Sequence, residues 1–433
     1  MLARRTAADL VEDVLCRRRP LDEQLQHREA DPRLFELADR DRALARAISA
    51  TVLRRLGTLR HLLARLLERG LPASATRVEI ILLVGAAQIL WLDIPGHAAV
   101  DLAVRLARSD RRSAHYAGLV NAVLRRLVRQ RTHFLADLDV TLDTPAWFMA
   151  RWRRHYGADM ARAIAIANDR EAALDFTLKA RAQAQLWADK LGGRVLPTGS
   201  VRAVVHGSAA QLPGYGQGAW WVQDAAAALP ARLLGDVAGR SVADLCAAPG
   251  GKTAQLAAAG ATVVAVDRSA RRLERLRQNL VRLDLKAQVV EADVLTWHGG
   301  PFDAVVLDAP CSSTGTIRRH PDIPWIKQES DIAVLASLQR QLLARAADLV
   351  KPGGLLIYST CSLEPEEGTE IIRDFLSATK SFVRRPIMPG EMQVTEDWLT
   401  VEGDLRTLPC HLPDANPVMA GLDGFYAARL ERA

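Results

Sequence analysis

The stretch Val242-Ala243-Asp244-Leu245-Cys246-Ala247-Ala248-Pro249-Gly250-Gly251-Lys252-Thr253 decides the fold of the second half of this 433-residue chain. It predicts a strand at 242–246, a glycine-rich loop and a helix at 252–259. Further apolar runs without alternation follow, as is typical of parallel strands covered on both faces. They lie at 262–267, 287–291, 304–307 and 355–359. Helices are predicted between them at 271–283 and 331–350, and 424–430 is predicted to add an antiparallel edge strand.

Three regions follow from the change in pattern along the chain. Residues 1 to about 132 have helical periodicity throughout, which predicts an all-α bundle over 1–135. The stretch 136–235 mixes helices at 145–152 and 159–167 with strands at 174–179 and 201–205, which predicts a small α+β module. Residues 236–433 are predicted to form an α/β Rossmann-like domain.

The bulk composition is that of an ordinary globular protein, with 49% apolar and 25% charged residues. No apolar run approaches the roughly 20 residues of a membrane span, and the basic N-terminus lacks an apolar signal core behind it. Five cysteines outside metal-ligand clusters suit a reducing cytoplasm better than a disulfide framework. We therefore expect a cytoplasmic protein without a metal site.

The positive charge is concentrated in the N-terminal region. Residues 1–140 hold 24 Lys and Arg against 17 Asp and Glu, whereas the remainder holds 33 of each. A basic group there comprises Arg111, Arg112, Arg125, Arg126, Arg129 and Arg131. Such a group could neutralise the phosphates of a nucleic acid, or it could be a solvated helix face.

The glycine-rich loop fits neither common nucleotide-binding motif. The tail Gly251-Lys252-Thr253 is like that of a nucleoside triphosphate loop, but Cys246 stands where that motif requires glycine, and GxGxxG is missing. Acidic residues instead end successive strands at Asp267, Asp293 and Asp308. Carboxylates suit the hydroxyls of a ribose and repel a pyrophosphate. S-adenosylmethionine meets these requirements; the alternative is that Asp267 and Asp293 only cap the following helix or turn.

Two cysteines, Cys311 and Cys361, each follow the end of a predicted strand. Because ligands bind beyond the carboxyl ends of strands in open α/β sheets, both thiols should reach one site beside the cofactor loop. Two thiols there indicate covalent chemistry on a substrate, although free cysteines are often small core residues. We interpret Cys246 as a packing residue and Cys16 as a buried structural thiol, and assign Cys410 no role.

The motifs around these thiols resemble those of RNA cytosine-5 methyltransferases. They are Asp308-Ala309-Pro310-Cys311, Ser359-Thr360-Cys361-Ser362, Arg318-Arg319-His320-Pro321-Asp322 with Trp325, and Pro249-Gly250-Gly251-Lys252. Val120-Asn121-Ala122-Val123-Leu124-Arg125-Arg126 resembles the last helix of a NusB-type domain. The arrangement is similar to that of bacterial 16S ribosomal RNA cytosine-5 methyltransferases with such an N-terminal domain, over nearly the whole chain.

The resemblance implies a role for each site residue. Cys361 would be the nucleophile, Cys311 would assist release of the product, and Asp308 would contact the pyrimidine. Lys252 would lie near the same pocket, where its charge could favour a thiolate. The resemblance and the loop together assign S-adenosylmethionine to Cys246, Ala247, Ala248, Pro249, Gly250, Gly251, Lys252, Asp267, Asp293 and Asp308.

The resemblance also implies a ribosomal RNA substrate and a NusB-like bundle that binds RNA or protein partners. The basic surplus in residues 1–140 favours RNA, and we expect a monomer without a membrane partner. A transfer RNA substrate is the alternative, and a non-catalytic RNA-binding assembly factor is a second. Trp220 and Trp221 could stack on bases, or they could be buried. The family commonly has Arg-Val-Asn or Arg-Thr-Asn where this chain has Lys179-Ala180-Arg181, so the middle module departs from the family at this stretch.

Overall fold

The structure is a computed structural model, and it describes residues 1–26, 37–136, 138–205 and 207–433. Contacts divide the chain into two units. Unit 1 comprises Met1–Asp169 with Arg319–Lys327, and unit 2 comprises Arg170–Arg318 with Gln328–Ala433. The three-domain division at 135 and 235 stays a prediction. The expectation of helix throughout 1–132 includes residues 27–36, which lie outside the described residues.

Unit 1 is helical wherever the structure describes regular elements in it. Its α-helices are Leu2–Arg17, Leu21–Gln26, Asp39–Arg54, Leu56–Leu66, Thr76–Leu90, Gly96–Ser109, Ala117–Arg129, Arg131–Leu135, Ala146–Tyr156, Ala158–Asn168 and Ile323–Ile326. The helix Thr76–Leu90 is buried on nearly all sides, because apolar residues cover its whole circumference and not one stripe. The N-terminal region is therefore all-α, as predicted.

One stretch of unit 1 is long and apolar enough to cross a membrane by length and composition. It is Ala73–Leu90, 18 residues with a mean hydropathy of 1.5. The expectation that no run approaches a membrane span was therefore wrong by this measure. Within unit 1, however, 78% of the stretch is buried, as befits the central helix of a bundle.

One residue of the predicted basic group, Arg112, takes part in an ion network around the buried side chain of Arg77. The Arg77 guanidinium, 4% exposed, lies 2.8 Å from carboxylate oxygens of Asp9 and Glu12 and 2.9 Å from Asp110. Arg112 pairs with Glu12 at 2.6 Å and with Asp110 at 3.1 Å, and these hydrogen bonds raise the pKa of Arg112. Arg112 therefore belongs to the network and is already neutralised by its two carboxylate partners.

A short segment from the second half of the chain, Arg319–Lys327, belongs to unit 1. The Asp322 carboxylate accepts a hydrogen bond from the Leu21 amide at 2.8 Å. Trp325 donates its indole N–H to the carbonyl of Leu53 at 2.7 Å. Trp325 and Ile326 also pack against an apolar cluster, which consists of Leu10, Val14, Leu21 and Leu53. The segment thus completes part of the core of the helical unit.

Unit 2 contains two sheets. The first is antiparallel and has the order β2-β3-β1-β4. Its strands are β1 (Leu174–Leu178), β2 (Arg194–Val195), β3 (Val201–Ala203) and β4 (Trp220–Val222). Trp220 is fully buried and packs edge-on against Phe176, with ring centroids 4.7 Å apart. Trp221 is also buried, so neither tryptophan presents an open ring at the protein surface.

The second sheet has eight strands in the order β10-β12-β9-β8-β5-β6-β7, with β11 pairing β12. These are β5 (Ser241–Leu245), β6 (Thr262–Asp267), β7 (Gln288–Glu291), β8 (Phe302–Asp308), β9 (Val350–Thr360), β10 (Phe382–Arg384), β11 (Leu405–Thr407) and β12 (Phe425–Arg432). β5 to β9 are mutually parallel where they pair, which confirms the Rossmann-like prediction.

The C-terminal strand is antiparallel as predicted, but the expectation that it lies at an edge was wrong. β12 pairs with β9 on one side and with β10 and β11 on the other. The α-helices of unit 2 are Ala184–Leu191, Leu229–Arg232, Gly251–Ala258, Ala270–Leu283, Glu329–Asp348 and Thr369–Ala378. The carboxyl ends of β5, β6, β8 and β9 therefore carry the loops that sequence analysis singled out.

Candidate active site

The two predicted catalytic thiols meet beyond the ends of β8 and β9. Cys311 lies three residues after β8, and Cys361 follows β9 directly. Their sulfur atoms are 3.4 Å apart, and both thiols are free and half-buried. The Ser313 hydroxyl oxygen lies 3.6 Å from the Cys361 sulfur. Strand adjacency accounts for this meeting, since β8 and β9 are parallel neighbours with Asp308 opposite Ser359.

The pKa values of the two thiols are shifted in opposite directions. The hydrogen bond with the Cys311 thiol and a further one with Ser313 lower the pKa of Cys361, although burial and the Asp308 charge oppose this. The pKa of Cys311 is raised well above its ordinary value, first by that same hydrogen bond and then by burial. Cys361 is therefore the more acidic thiol of the pair, and the one from which a thiolate forms more readily.

A buried carboxyl that the sequence analysis missed joins the two cysteine loops. Glu367 is 0% exposed. Its carboxylate accepts hydrogen bonds from the amide and the hydroxyl of Ser312, next to Cys311. It also accepts one from Ser362, next to Cys361, at 2.5 Å, and one from Gln339 at 3.0 Å. One side chain thus holds the residues that flank both thiols.

Burial raises the pKa of Glu367 above its ordinary value, because a carboxylate loses its hydration there. Two further hydroxyls, those of Tyr358 and Thr360, donate to the Glu367 backbone carbonyl at 2.9 and 3.2 Å. The sequence does show that a serine follows each cysteine, Ser312 after Cys311 and Ser362 after Cys361. It could not identify Glu367, which stands in the run Pro365-Glu366-Glu367 and looks like any exposed acid.

Asp308 and Lys252 form an ion pair at the end of β8. The Lys252 ammonium donates to Asp308 at 2.7 Å and lies 5.0 Å from the ring centroid of Phe425. Ser359 donates its hydroxyl to the other Asp308 oxygen at 3.1 Å. The Lys252 side chain is 7% exposed and that of Asp308 is 34% exposed, so Asp308 is the member of the pair that faces the open crevice.

The predicted cofactor loop runs from the end of β5 into the helix Gly251–Ala258. Gly250 has a φ of +101°, and a Cβ there would lie 2.7 Å from the Leu276 side chain. Only glycine combines that conformation with that close approach. The side chains from Ala247 to Gly251 are small, as is typical of a loop whose backbone a ligand approaches closely.

Both strand-end acids next to the loop have backbone partners. Asp267 accepts hydrogen bonds from the amides of Ala248 at 3.1 Å and Ser269 at 2.9 Å. The exposed Asp293 accepts one from the amide of Leu295 at 3.0 Å. Both carboxylates therefore cap the turn that follows them, as the alternative interpretation expected. Each carboxylate oxygen has a second lone pair, so these bonds leave room for the hydroxyls of a ribose.

These features fit S-adenosylmethionine, because the loop has small residues and the acids accept hydroxyl donors without facing a phosphate. Residues 246–252 and Asp267 would hold the donor, and Asp293 lies on the next strand end. Buried Asp244, beneath the loop, accepts a hydrogen bond from Thr253 at 2.6 Å, and burial raises its pKa to about 7. The sequence analysis assigned Asp244 no role.

The remaining cysteines lie outside the paired-thiol site. The expectation that Cys16 is buried was wrong: its side chain is exposed, because it lies two residues after buried Val14 and therefore on the opposite face of the helix. Burial raises the pKa of Cys246 to about 12, in keeping with a packing residue. Cys410 is half-buried and its pKa is raised by burial.

Two family descriptions match this chain. A family described as 16S rRNA methyltransferase RsmB/F matches residues 231–431, and the NusB family matches residues 1–129. These matches cover the Rossmann-like region with its thiol loops and most of the helical unit.

Curated relatives match over most of the chain. The ribosomal RNA small subunit methyltransferase B of Pseudomonas putida is 37% identical over 92% of this chain and 92% of its own length. The protein of the same name from Salmonella paratyphi B is 36% identical over 90% of this chain and 94% of its own length. The solved structure of a methyltransferase homologue from Pyrococcus horikoshii is 26% identical and superposes with a TM-score of 0.56, over 68% of this chain and 98% of that one.

Proposed function

This chain belongs to the 16S rRNA methyltransferase RsmB/F family, and we propose that it methylates carbon 5 of a specific cytosine in 16S ribosomal RNA. The chain is an enzyme whose methyl donor is S-adenosylmethionine. The observation that carries the proposed cytosine chemistry is the pair of thiols 3.4 Å apart with opposite pKa shifts. Methylation of an amino group would need no thiol.

The chemistry requires a nucleophile because carbon 5 of an aromatic cytosine attacks poorly. The Cys361 thiolate adds to carbon 6, so that a sulfur–carbon bond forms and the electron pair of the 5,6 double bond becomes available at carbon 5. The bound donor supplies an electrophilic methyl group on a sulfonium. Carbon 5 would bond to that methyl as the bond between the methyl and the sulfonium sulfur breaks, so that S-adenosylhomocysteine leaves as a neutral thioether, and carbon 5 would then lose its proton to Cys311. The sulfur–carbon bond breaks, which restores the double bond and the Cys361 thiolate.

Cys311 assists the release step. In the free enzyme its thiol donates to Cys361, and this hydrogen bond is the first cause of its raised pKa. Once the Cys361 sulfur is bonded to carbon 6, it no longer carries a negative charge. That cause then disappears and the pKa of Cys311 falls, so Cys311 gives up its own proton to solvent more readily and can then, as the thiolate, take the proton from carbon 5.

Asp308 orients the base in this scheme. Its carboxylate is fixed by Lys252 and Ser359 and is partly exposed to the crevice, where it can hydrogen-bond to the polar edge of the pyrimidine. Since the Lys252 ammonium donates directly to Asp308, we assign Lys252 to holding that carboxylate in place. Its effect on the thiolate is then indirect.

The substrate and setting follow from the family and from the site. The relatives are named as small-subunit ribosomal RNA methyltransferases, and the helical unit carries the basic surplus, which suits RNA. A base inside a duplex could not reach the crevice, so the target cytosine should be unpaired or flipped out. We propose that the enzyme acts in the cytoplasm as a monomer.

The test is transfer of labelled methyl from S-adenosylmethionine to unmodified small-subunit ribosomal RNA. We expect wild-type protein to label a cytosine at carbon 5 and Cys361→Ala to label none. Cys311→Ala should accumulate a protein–RNA adduct that survives denaturant, because the covalent intermediate forms but is not resolved. Cys16→Ser, which removes an exposed thiol, is the matched control and should behave like wild type.

Three outcomes would contradict parts of the proposal. Full activity of Cys361→Ala would exclude the covalent route. Labelling of transfer RNA alone would leave the covalent mechanism standing and would show that the substrate is transfer RNA and not ribosomal RNA. Binding of RNA without methyl transfer, under conditions in which the donor binds, would favour the non-catalytic assembly factor.

A further inference from the structure

Unit 2 contains a cavity of about 490 Å³ to which neither thiol contributes. Its walls come from the end of β1 and the residues after it, from the turn at 198–200, and from the stretch 228–237. The far end of the helix Gly251–Ala258 closes it. Neither cysteine loop lines this cavity, nor do Asp267, Asp293 and Asp308. It is therefore separate from the site described above.

The ionisable side chains that line the cavity are all cationic. They are Lys179, Arg181 and Arg232, and no Asp or Glu is among the lining residues. Lys179 already donates to the carbonyl of Leu283 at 2.6 Å and lies 3.9 Å from the Asp284 carboxylate. The positive charge that lacks a carboxylate partner is therefore carried by the two arginines.

Neither arginine has an ion-pair partner among the residues that the structure describes. Arg232 donates to the carbonyl of Thr198, while its Nε atom is buried without a hydrogen-bond partner. Arg181 lies against Gly199, where a Cβ would come within 3.1 Å of its guanidinium nitrogen. Burial, with the nearby charge of Arg181, lowers the pKa of Arg232 to about 10. Two cations held together in this way are stabilised by an anion.

The rest of the wall is mostly apolar, and its polar side chains are those of Thr177, Thr198, Ser200 and Gln255. Trp221, Leu178 and Leu256 line it together with small alanines. Binding sites for small organic molecules usually enclose about 300–1,000 Å³ and combine apolar walls with few polar groups. The cavity is much larger than a lone phosphate requires, and its two arginines offer planar forks that match phosphate oxygens. A ligand with a flat apolar part and a phosphate satisfies both features.

We propose that this cavity is a nucleotide-binding site in which Arg181 and Arg232 hold the phosphate. The occupant is a nucleoside monophosphate unit, supplied either by one residue of an RNA strand or by a free nucleotide. The proposal does not depend on the proposed methylation chemistry, because it uses neither thiol and no part of the donor site.

Equilibrium dialysis of the full chain with labelled adenosine 5′-monophosphate tests the site, with saturating S-adenosylhomocysteine present to fill the donor site. We expect binding of the nucleotide and at least tenfold weaker binding of adenosine, which lacks the phosphate. Arg181→Gln and Arg232→Gln should each weaken nucleotide binding at least tenfold. Arg275→Gln removes an exposed arginine of the helix Ala270–Leu283 and is the matched control.

Binding of S-adenosylhomocysteine to each variant reports whether unit 2 is still folded. Since Arg181 is exposed, its variant should fold even if Arg232→Gln does not. A single-stranded RNA of twelve nucleotides identifies the source: competition with the monophosphate indicates a residue of the strand, and its absence indicates a free nucleotide. Equal binding of nucleotide and adenosine, no nucleotide binding by wild type, or full affinity in Arg181→Gln would overturn the proposal.

Discussion

Cys246 and Cys361 each follow the carboxyl end of a parallel strand in the same sheet, yet their surroundings change the acidity of the two thiols in opposite directions. Burial raises the pKa of Cys246 to about 12, and the carboxylates of Asp267, Asp308 and Asp244 add to this. Cys361 is close to Asp308 as well, but the hydrogen bond from Cys311 lowers its pKa. A position at a strand end is therefore not sufficient for reactivity; a thiol also needs hydrogen-bond donors aimed at its sulfur.

The largest expected effect is the difference between removing the thiol of Cys361 and removing that of Cys246. Cys361→Ala should lower kcat for methyl transfer by at least about 10³-fold, because the covalent step is lost. Cys246→Ala should leave kcat within about threefold and change KM for the donor by less than about tenfold, since that side chain only packs in the donor loop. Steady-state kinetics measure kcat and the KM for the donor in both variants. A large fall in kcat for Cys246→Ala would remove the contrast.

The second effect concerns the carboxyl that joins the two cysteine loops. Glu367→Ala should lower the single-turnover rate by about 100-fold, because four hydrogen-bond donors lose their acceptor and both loops lose a common support. Glu367→Gln keeps one acceptor oxygen and should cost less than about tenfold. The KM for S-adenosylmethionine should change little in either variant. Glu370→Ala, at the start of the next helix, is the control; an equal loss there would point to general disruption.

The third effect isolates the hydrogen bond between the thiols. In Cys311→Ala, the Cys361 pKa should rise, because the first cause of its lowering is removed. At pH 7 the rate of alkylation of Cys361 by iodoacetamide should then fall by about tenfold, because less of the thiol is ionised. Mass spectrometry of the alkylated Cys361 peptide at several pH values measures this rate in wild type and in Cys311→Ala. An unchanged pH profile for Cys361 would mean that Ser313 or another group sets its acidity.

The fourth effect is on the stability of the fold and not on the rate, and it concerns Asp244 beneath the donor loop. Its pKa of about 7 in the fold lies above its ordinary value of 3.8, so the folded protein binds the proton more tightly than the unfolded chain. Stability from this group is present below pH 3.8 and is lost as the pH rises towards about 7, by at most about 1.4 kcal/mol per pH unit. Asp244→Asn should flatten that slope. Denaturant unfolding between pH 4 and 8 tests this, and an unchanged slope would contradict it.

The sequence predicted the parallel strands of the second sheet well, because each is a short buried apolar run that needs no information from elsewhere in the chain. It also predicted the meeting of Cys311 and Cys361, since adjacent parallel strands present their carboxyl ends at one edge of a sheet. Both predictions depend on local pattern combined with one general rule of topology.

The features that were missed depend on pairing between distant parts of the chain. Whether β12 lies at an edge or inside the sheet is decided by β10 and β11, two strands of three residues each whose pattern is too short to recognise. Glu367 becomes a buried acceptor only because Ser312, 55 residues earlier, is folded against it. Local hydrophobicity could indicate neither feature.

The membership of Arg319–Lys327 in the helical unit has a consequence for synthesis on the ribosome. Residues up to Asp169 emerge first, but Trp325 and Ile326, which cover Leu10, Val14, Leu21 and Leu53, are translated roughly 150 residues later. At about 5–20 residues per second, this leaves that apolar cluster without its cover for roughly 8–30 s. We therefore expect the nascent N-terminal helices to offer a transient binding site for chaperones until the segment has been translated.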